Sequence, residues 1–501
     1  MLFGLSLYFD LLLGLVTLII SVVLYLRYNM SYWERHGIPY IKPNLLLGNF
    51  DELLIKRVPT GLFGQNMYER GAGHPMVGIW ALQTPSLLIR DPDLIKNILV
   101  KDFNYFCDRY SGGDGDFDPV GRKNLFMTNN PHWKTLRTHF SPIFTGNKLR
   151  NVYQIMMEIS DGLTDYYKEK CGQDGATFEL KDLYTRSSIE VISSCMFGIK
   201  ANSIRDPDCT IVENANKLIN NQIKRLLEIT IYFMVPQLID IFRVQLAGST
   251  TNFFRNLCWD SIKQREKNGI KRGDVVDCLL KIRNESKFED DMIVAQTFIF
   301  FAAGFETSGT TTSFCIHYLA AYPEIQERAR EEAMAIKEKY GSFTYESLSE
   351  AKYIESIIQE TLRLYPPMPI LNRICVKDYK VPDMDFVIKK GTPIFVGIMG
   401  MHKDPEYFPE PEKFDPDRFS DERKADIKPQ TYMPFGEGPR ICIGMRFAML
   451  SIKLSLCSFL TNFRAERCAE TQFPVKLVLG TLTMMPENGL NVKVVPLTSC
   501  K

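Results

Sequence analysis

The stretch EDDMIVAQTFIFFAAGFETSGTTTSFCIHYLAAYP, residues 289–323, sets the first constraint on the fold. It is apolar almost throughout, with its polar groups confined to the middle and the ends. At about 1.5 Å per residue a helix of this length runs roughly 45 Å, enough to cross a molecule of this size. Gly304 and the run Thr310, Thr311, Thr312 weaken such a helix, so something in the fold must favour it there. The hydroxyl of Thr307 can bond the Ala303 carbonyl and open a local kink. Taken alone, the small residues fit a buried helix packed closely against its neighbours.

A second apolar run, LFGLSLYFDLLLGLVTLIISVVLYL at residues 2–26, carries a single charge, Asp10. It is long enough to span a bilayer. No Lys or Arg precedes it and no small-x-small cleavage site follows, unlike a secretory signal. Arg27, Arg35 and Lys42 come after it, and positive charge favours the cytosolic side. The expectation is a membrane anchor over residues 1–28 with the body in the cytosol; the alternative is a cleaved signal peptide. The 12 cysteines include no C-x-x-C pair, which suits small buried side chains in a reducing compartment. The 6 histidines lack H-E-x-x-H spacing, so no zinc site is expected. Lys+Arg at 60 against Asp+Glu at 59 gives no support to nucleic-acid binding.

After the anchor, residues 29–50 form a connector that Pro39 and Pro43 make stiff rather than helical. Residues 75–99 predict short strands and then a helix opened by Asp91-Pro92. Residues 110–120, YSGGDGDFDPV, have the composition of a loop. Helical periodicity dominates from about 130 to 365. Prolines then crowd residues 366–433, helix returns near 443–460, and a strand-like tail closes the chain. Without repeats or low-complexity linkers, residues 51–501 read as one mainly α unit with a small β-rich part. On the helix ending at YIESIIQETLRLYPP, Ile354, Ile357, Ile358, Thr361 and Leu364 define the apolar face. Glu360 falls at its border and Arg363 outside it, so periodicity alone predicts a surface ion pair of little worth. ITIYFMVPQLIDIF, residues 229–242, either dips into the membrane or packs inside.

Residues 434–447 read PFGEGPRICIGMRF. A thiol just before a helix meets outward-pointing N–H groups and the positive end of the dipole, both of which favour thiolate. Gly436, Gly438 and Gly444 allow turns and close approach, Arg440 supplies a cation, and Phe435 can shield the sulfur. From this loop alone Cys442 is a structural cysteine, a nucleophile or a metal ligand.

The full pattern F-G-x-G-x-R-x-C-x-G, on Phe435, Gly436, Gly438, Arg440, Cys442 and Gly444, resembles the haem loop of cytochrome P450 enzymes. That resemblance implies a P450 fold, haem b and Cys442 as the axial iron ligand. It extends over essentially the whole chain. Ala303, Gly304, Phe305, Glu306, Thr307 and Ser308 resemble the oxygen-activation segment. There Gly304 would leave room for dioxygen, and Glu306 with Thr307 would form an acid–alcohol pair relaying protons. Glu360 and Arg363 resemble the E-x-x-R pair, which would join Arg418 in a buried triad. Trp133 and Arg137 resemble donors to a haem propionate, with Arg440 a second contact and Arg109 and Arg373 looser ones. Ser308 and Asp417 stand where the family more often has Thr and Glu.

Candidate substrate contacts are Ile299, Ala302, Ala303, Met368, Ile370 and Leu371, with the loop at 105–127 and the tail near 480–484; nearly all are apolar, so a hydrophobic small molecule is expected. No G-x-G-x-x-G opens a helix after a strand. Electrons from NADPH would therefore arrive through a separate reductase, with cytochrome b5 as a further partner, at the endoplasmic reticulum membrane. Arg446 and Lys453 are expected to help dock the reductase. The detoxification P450s of the insect family-six type, and then the vertebrate family-three type, look most similar, which implies oxidation of plant toxins, insecticides or terpenoids. Rival functions are a P450-type isomerase or dehydratase, a haem carrier without turnover, and a cysteine hydrolase.

Overall fold

A computed structural model of the chain describes residues 2–113, 115–219, 222–285, 288–479 and 483–497. Helix α1 (Leu2–Met30) projects from the body. Its Tyr8–Met30 portion has a mean hydropathy of 2.5 and is only 6% buried. A helix apolar on every side and left uncovered is suited to hydrocarbon rather than water.

The connector begins with one helical turn, Tyr32–Arg35, where an irregular segment was expected. It is no free tether. Trp33 is buried and its indole N–H donates to the Ile79 carbonyl at 3.1 Å. The Gly78 N–H donates to the Pro39 carbonyl at 2.7 Å. Pro39 and Pro43 remove donors only where none is needed.

Next come α2 (Thr60–Arg70), β1 (Met76–Ala81), β2 (Thr84–Ile89) and α3 (Pro92–Lys96). Asp91 caps α3 as its sequence predicts, accepting the Leu94 N–H at 2.7 Å. The helical body follows: α4 (His132–Phe140), α5 (Gly146–Cys171), strand β3 (Ala176–Glu179), α6 (Leu180–Ile192), α7 (Ile223–Met234), α8 (Thr251–Asn268), α9 (Asp290–Ala321), α10 (Pro323–Tyr340) and α11 (Lys352–Leu364). Beyond it lie β4 (Ile370–Ile374), β5 (Pro393–Gly397), α12 (Met445–Leu460), β6 (Phe463–Glu466), β7 (Leu477–Val478), β8 (Met485–Pro486) and β9 (Asn491–Pro496). One sheet has the order β1-β2-β5-β4, with β2 and β5 parallel; another runs β3-β9-β6, and β7 pairs with β8.

α9 crosses the interior and packs on α6 along much of its length. Two glycines permit this. A Cβ on Gly304 would lie 2.4 Å from Ile192, and one on Gly309 would lie 2.9 Å from the Tyr184 carbonyl. The hydroxyls that weaken the helix on paper are satisfied within it: Thr311 donates to Thr307 at 2.9 Å, Thr312 to Ser308 at 2.9 Å and Ser313 to Gly309 at 2.7 Å. Buried polar groups therefore cost little, and close packing compensates for the low helix propensity.

Candidate active site

The loop before α12 is set by backbone contacts. Gly436 and Gly438 take φ of 76° and 71°, and a Cβ on Gly438 would sit 1.9 Å from the Leu99 carbonyl. Gly444 differs from its expectation: with φ of −90° it needs no left-handed turn, and a Cβ there would meet only Phe144, at 3.9 Å. The Cys442 N–H donates to the Phe435 carbonyl at 2.9 Å, which folds the loop around the sulfur. Burial pushes the thiol up, while the amides of Gly444 and Met445 and the charges of Arg137 and Arg109 pull it down. The side chain still opens to solvent. These opposing influences suit a sulfur that ionises against a cation or metal.

Four guanidinium groups converge on this loop, and they are not equivalent. Arg440 is consumed by the protein. It donates to the carbonyls of Cys107 at 2.7 Å, Thr128 at 2.9 Å and Phe126 at 3.3 Å, and lies over the Trp133 ring at 4.4 Å. It ties the 107–128 loop to the cysteine loop, a role its position in the motif does not reveal. Arg109 is buried over the Phe126 ring at 3.8 Å, and its Nε has no partner. Arg373 donates to the Asn372 carbonyl at 2.7 Å but leaves its Nε unpaired as well. Burial, reinforced by Arg373 and Arg440, holds Arg109 well below the usual arginine range. Burial likewise brings Arg373 down to about 10, and burial with Arg373 brings Arg440 to about 9. Arg137 is lowered by burial, with Cys442 acting the other way. The carboxylate that approaches them is Asp108, 3.5 Å from Arg440. Buried cations with orphaned donors call for anionic oxygens, and a prosthetic group bearing two carboxylates fits.

On α9, Ile299, Ala303 and Thr307 recur every four residues and open to solvent in the midst of a buried helix. Thr307 Oγ1 donates to the Ala303 carbonyl at 2.8 Å. Three expectations change here. Glu306 does not pair with Thr307, because successive helical residues diverge; its Oε1 accepts from Lys181 Nζ at 2.6 Å and Thr483 Oγ1 at 2.6 Å, while its buried Oε2 has no partner. Gly304 turns toward Ile192 and serves the α6 contact. Ile370 packs against Gly64 of α2, its Cγ1 only 2.8 Å from where a Cβ would sit. Strand alternation is the reason: Leu371 and Arg373 share the face toward the cysteine loop, and Ile370 and Asn372 share the other. Met368 is partly open and Ala302 is buried in the helical core. Of the tail, residues 480–482 lie outside the described residues.

The family model for Cytochrome P450 matches residues 41–494. The chain belongs to the cytochrome P450 family. Among its relatives, cytochrome P450 6k1 of Blattella germanica is 36% identical over 98% of this chain and 97% of its own. Cytochrome P450 9e2 of the same organism is 34% identical over 95% and 97%, and probable cytochrome P450 6g2 of Drosophila melanogaster 34% over 97% and 98%. As a P450 it is a haem-thiolate monooxygenase that uses O2 on small molecules.

Behind the loop of this P450 lies a second charged cluster. Glu360 and Arg363 are both 0% exposed, whereas periodicity placed them at the surface. Arg363 Nε and Nη2 donate to Glu360 at 2.7 and 2.9 Å, and Arg418 Nε lies 3.5 Å away. The Asp415 N–H and the carbonyls of His402 and Lys413 complete the set, at 2.9, 2.9 and 3.2 Å. These partners come from a segment some 40–55 positions downstream, so local periodicity cannot foresee the burial. Lys453 corrects another expectation: it is buried and bonded to Glu355, while Arg446 remains exposed.

Proposed function

We propose that Cys442, as thiolate, would bind the iron of a haem b whose propionates Arg109 and Arg373 would hold, with Trp133 and Arg137 beside them and Arg440 fixing the loop. The pair of orphaned buried guanidiniums next to Cys442 carries this reading. Bound haem supplies the activation of O2. The chain's own residues do the rest. Ile299, Ala303, Met368 and Leu371 offer an apolar surface to substrate. The Thr307 hydroxyl stands on the open stripe of α9. Glu306, with one oxygen free of hydrogen bonds, takes part in relaying protons through water toward Thr307. Phe435 shields the sulfur.

The substrate is an apolar xenobiotic such as a plant toxin, insecticide or terpenoid. Electrons come from NADPH through a reductase, with cytochrome b5 as an accessory, docking near exposed Arg446; Lys453 takes no part. α1 anchors the enzyme in the endoplasmic reticulum membrane. Ile241 and Phe242 are 69% and 64% exposed, which supports insertion of that end of the 229–242 segment.

The test is a carbon-monoxide difference spectrum of the reduced protein. The wild type gives the thiolate band, and Cys442→Ser loses it. O2 and NADPH consumption with added reductase then separates the alternatives. A flat trace across lipophilic compounds favours a carrier, and product without O2 uptake an isomerase.

A further inference from the structure

On a surface that includes neither Cys442 nor the open stripe of α9, α5, the end of α6 and the loop at 198–205 enclose a recess of about 400 Å3. Its floor is apolar. Ile155 and Ile159 lie one turn apart on α5, and Ile204 faces them. Gly162 continues the same face, and a Cβ there would meet nothing within 4 Å.

The polar lining is unevenly used. Glu190 is turned to the N–H groups of Ala201 and Ser203, at 3.1 and 2.6 Å, and to the Ser203 hydroxyl at 3.0 Å. Arg205 is held by Glu169 at 2.7 Å. Arg272 is fixed in place: its Nη2 donates to the Ser194 carbonyl at 3.0 Å and its Nε lies 3.4 Å from Asp274. Its Nη1 has no acceptor among the described residues and rests against Gly198, where a Cβ would come within 2.7 Å. Lys200 is exposed and unpaired among the described residues. Glu158, also exposed, is the remaining acid on the lining. Two cationic donors, one of them preorganised, thus look onto an aliphatic floor.

We propose that this recess binds a small organic anion with an aliphatic body. Its acid group is held by Arg272 and Lys200, and its chain lies on Ile155, Ile159 and Ile204. Charge-assisted hydrogen bonds from a fixed guanidinium give direction, and burial of the chain adds affinity.

The probe is octanoate, and the readout is local: acetylation of Lys200 by a succinimidyl ester, followed by mass spectrometry on the full-length haem-loaded protein. Octanoate is expected to slow acetylation of Lys200 but not of exposed Lys424, and octylamine to give no protection. Arg272→Gln should weaken protection about tenfold, the value of one charge-assisted bond. Gly162→Leu fills open space and replaces a helical glycine with a better helix former, so it should fold normally and abolish protection. Equal protection by octanol, or full protection in Gly162→Leu, would overturn the proposal.

Discussion

Two clusters of buried arginine flank the cysteine loop, and they differ in one respect. Around Glu360 the guanidinium of Arg363 is matched by a carboxylate and two backbone carbonyls. Around Arg109 and Arg373 the cations outnumber their acceptors, and each leaves a buried Nε unpaired. The same side chain at similar burial therefore does opposite work. The first cluster carries its own buried countercharge in Glu360 and holds segments together, although the Nε of Arg418 also lacks a hydrogen-bond partner. The second gathers like charges, which an anionic guest would relieve. A fully buried countercharge, Glu360, rather than burial or a complete set of hydrogen bonds, separates the two clusters.

Substitutions should split the clusters by sign. The largest effect is expected for Glu360→Gln, which leaves Arg363 and Arg418 buried without a countercharge; a loss of about 3–5 kcal/mol in urea unfolding checks it. An unchanged midpoint would erase the distinction.

His402 extends the Glu360 cluster toward the loop. Nδ1 donates to the Arg363 carbonyl at 3.3 Å and Nε2 accepts the Met433 N–H at 3.0 Å. Burial and the Arg363 charge push it down to about 3 from 6.5. The unfolded chain then binds the extra proton between those values, so stability present above pH 6.5 falls as pH drops. The slope should be about 1.4 kcal/mol per pH unit, or roughly 2 kcal/mol by pH 5. Buried His317, lowered to about 4, adds to it. His402→Gln should remove one proton's share of that slope.

Gly304→Ala tests whether the glycine serves packing. Its Cβ collides with Ile192, so a cost of about 1–2 kcal/mol is expected, relieved by Ile192→Val. Cost without relief would speak against the Ile192 contact as the reason for this glycine. The smallest effect carries the opposite sign. Arg109→Met keeps the contact with Phe126 and removes a buried cation, so haem-free protein should gain about 1 kcal/mol while haem affinity falls. Destabilisation of the haem-free form would show that Arg109 is structural, like the arginines around Glu360.

Much of this was legible in the chain. The cysteine loop, the long apolar helix, the cap at Asp91 and the strands before it follow from local pattern. Periodicity failed at Glu360 and Arg363 because the partners that bury them, His402, Asp415 and Lys413, lie far along the chain. Lys453 left its expected docking surface because Glu355 of another helix pairs with it and it is buried. No spacing rule pointed to Lys181 or Thr483, which turn Glu306 from its sequence neighbour.

The order of residues alone determined the cysteine loop, the arginines proposed for propionates and the apolar run proposed as a membrane anchor, because turns, caps and apolar runs are short-range properties. Only the tertiary structure decided which arginines remain unsatisfied, which way Glu306 and Ile370 face, and why Gly304 must be small. Those outcomes depend on hydrogen-bond acceptors and packing partners delivered from distant segments.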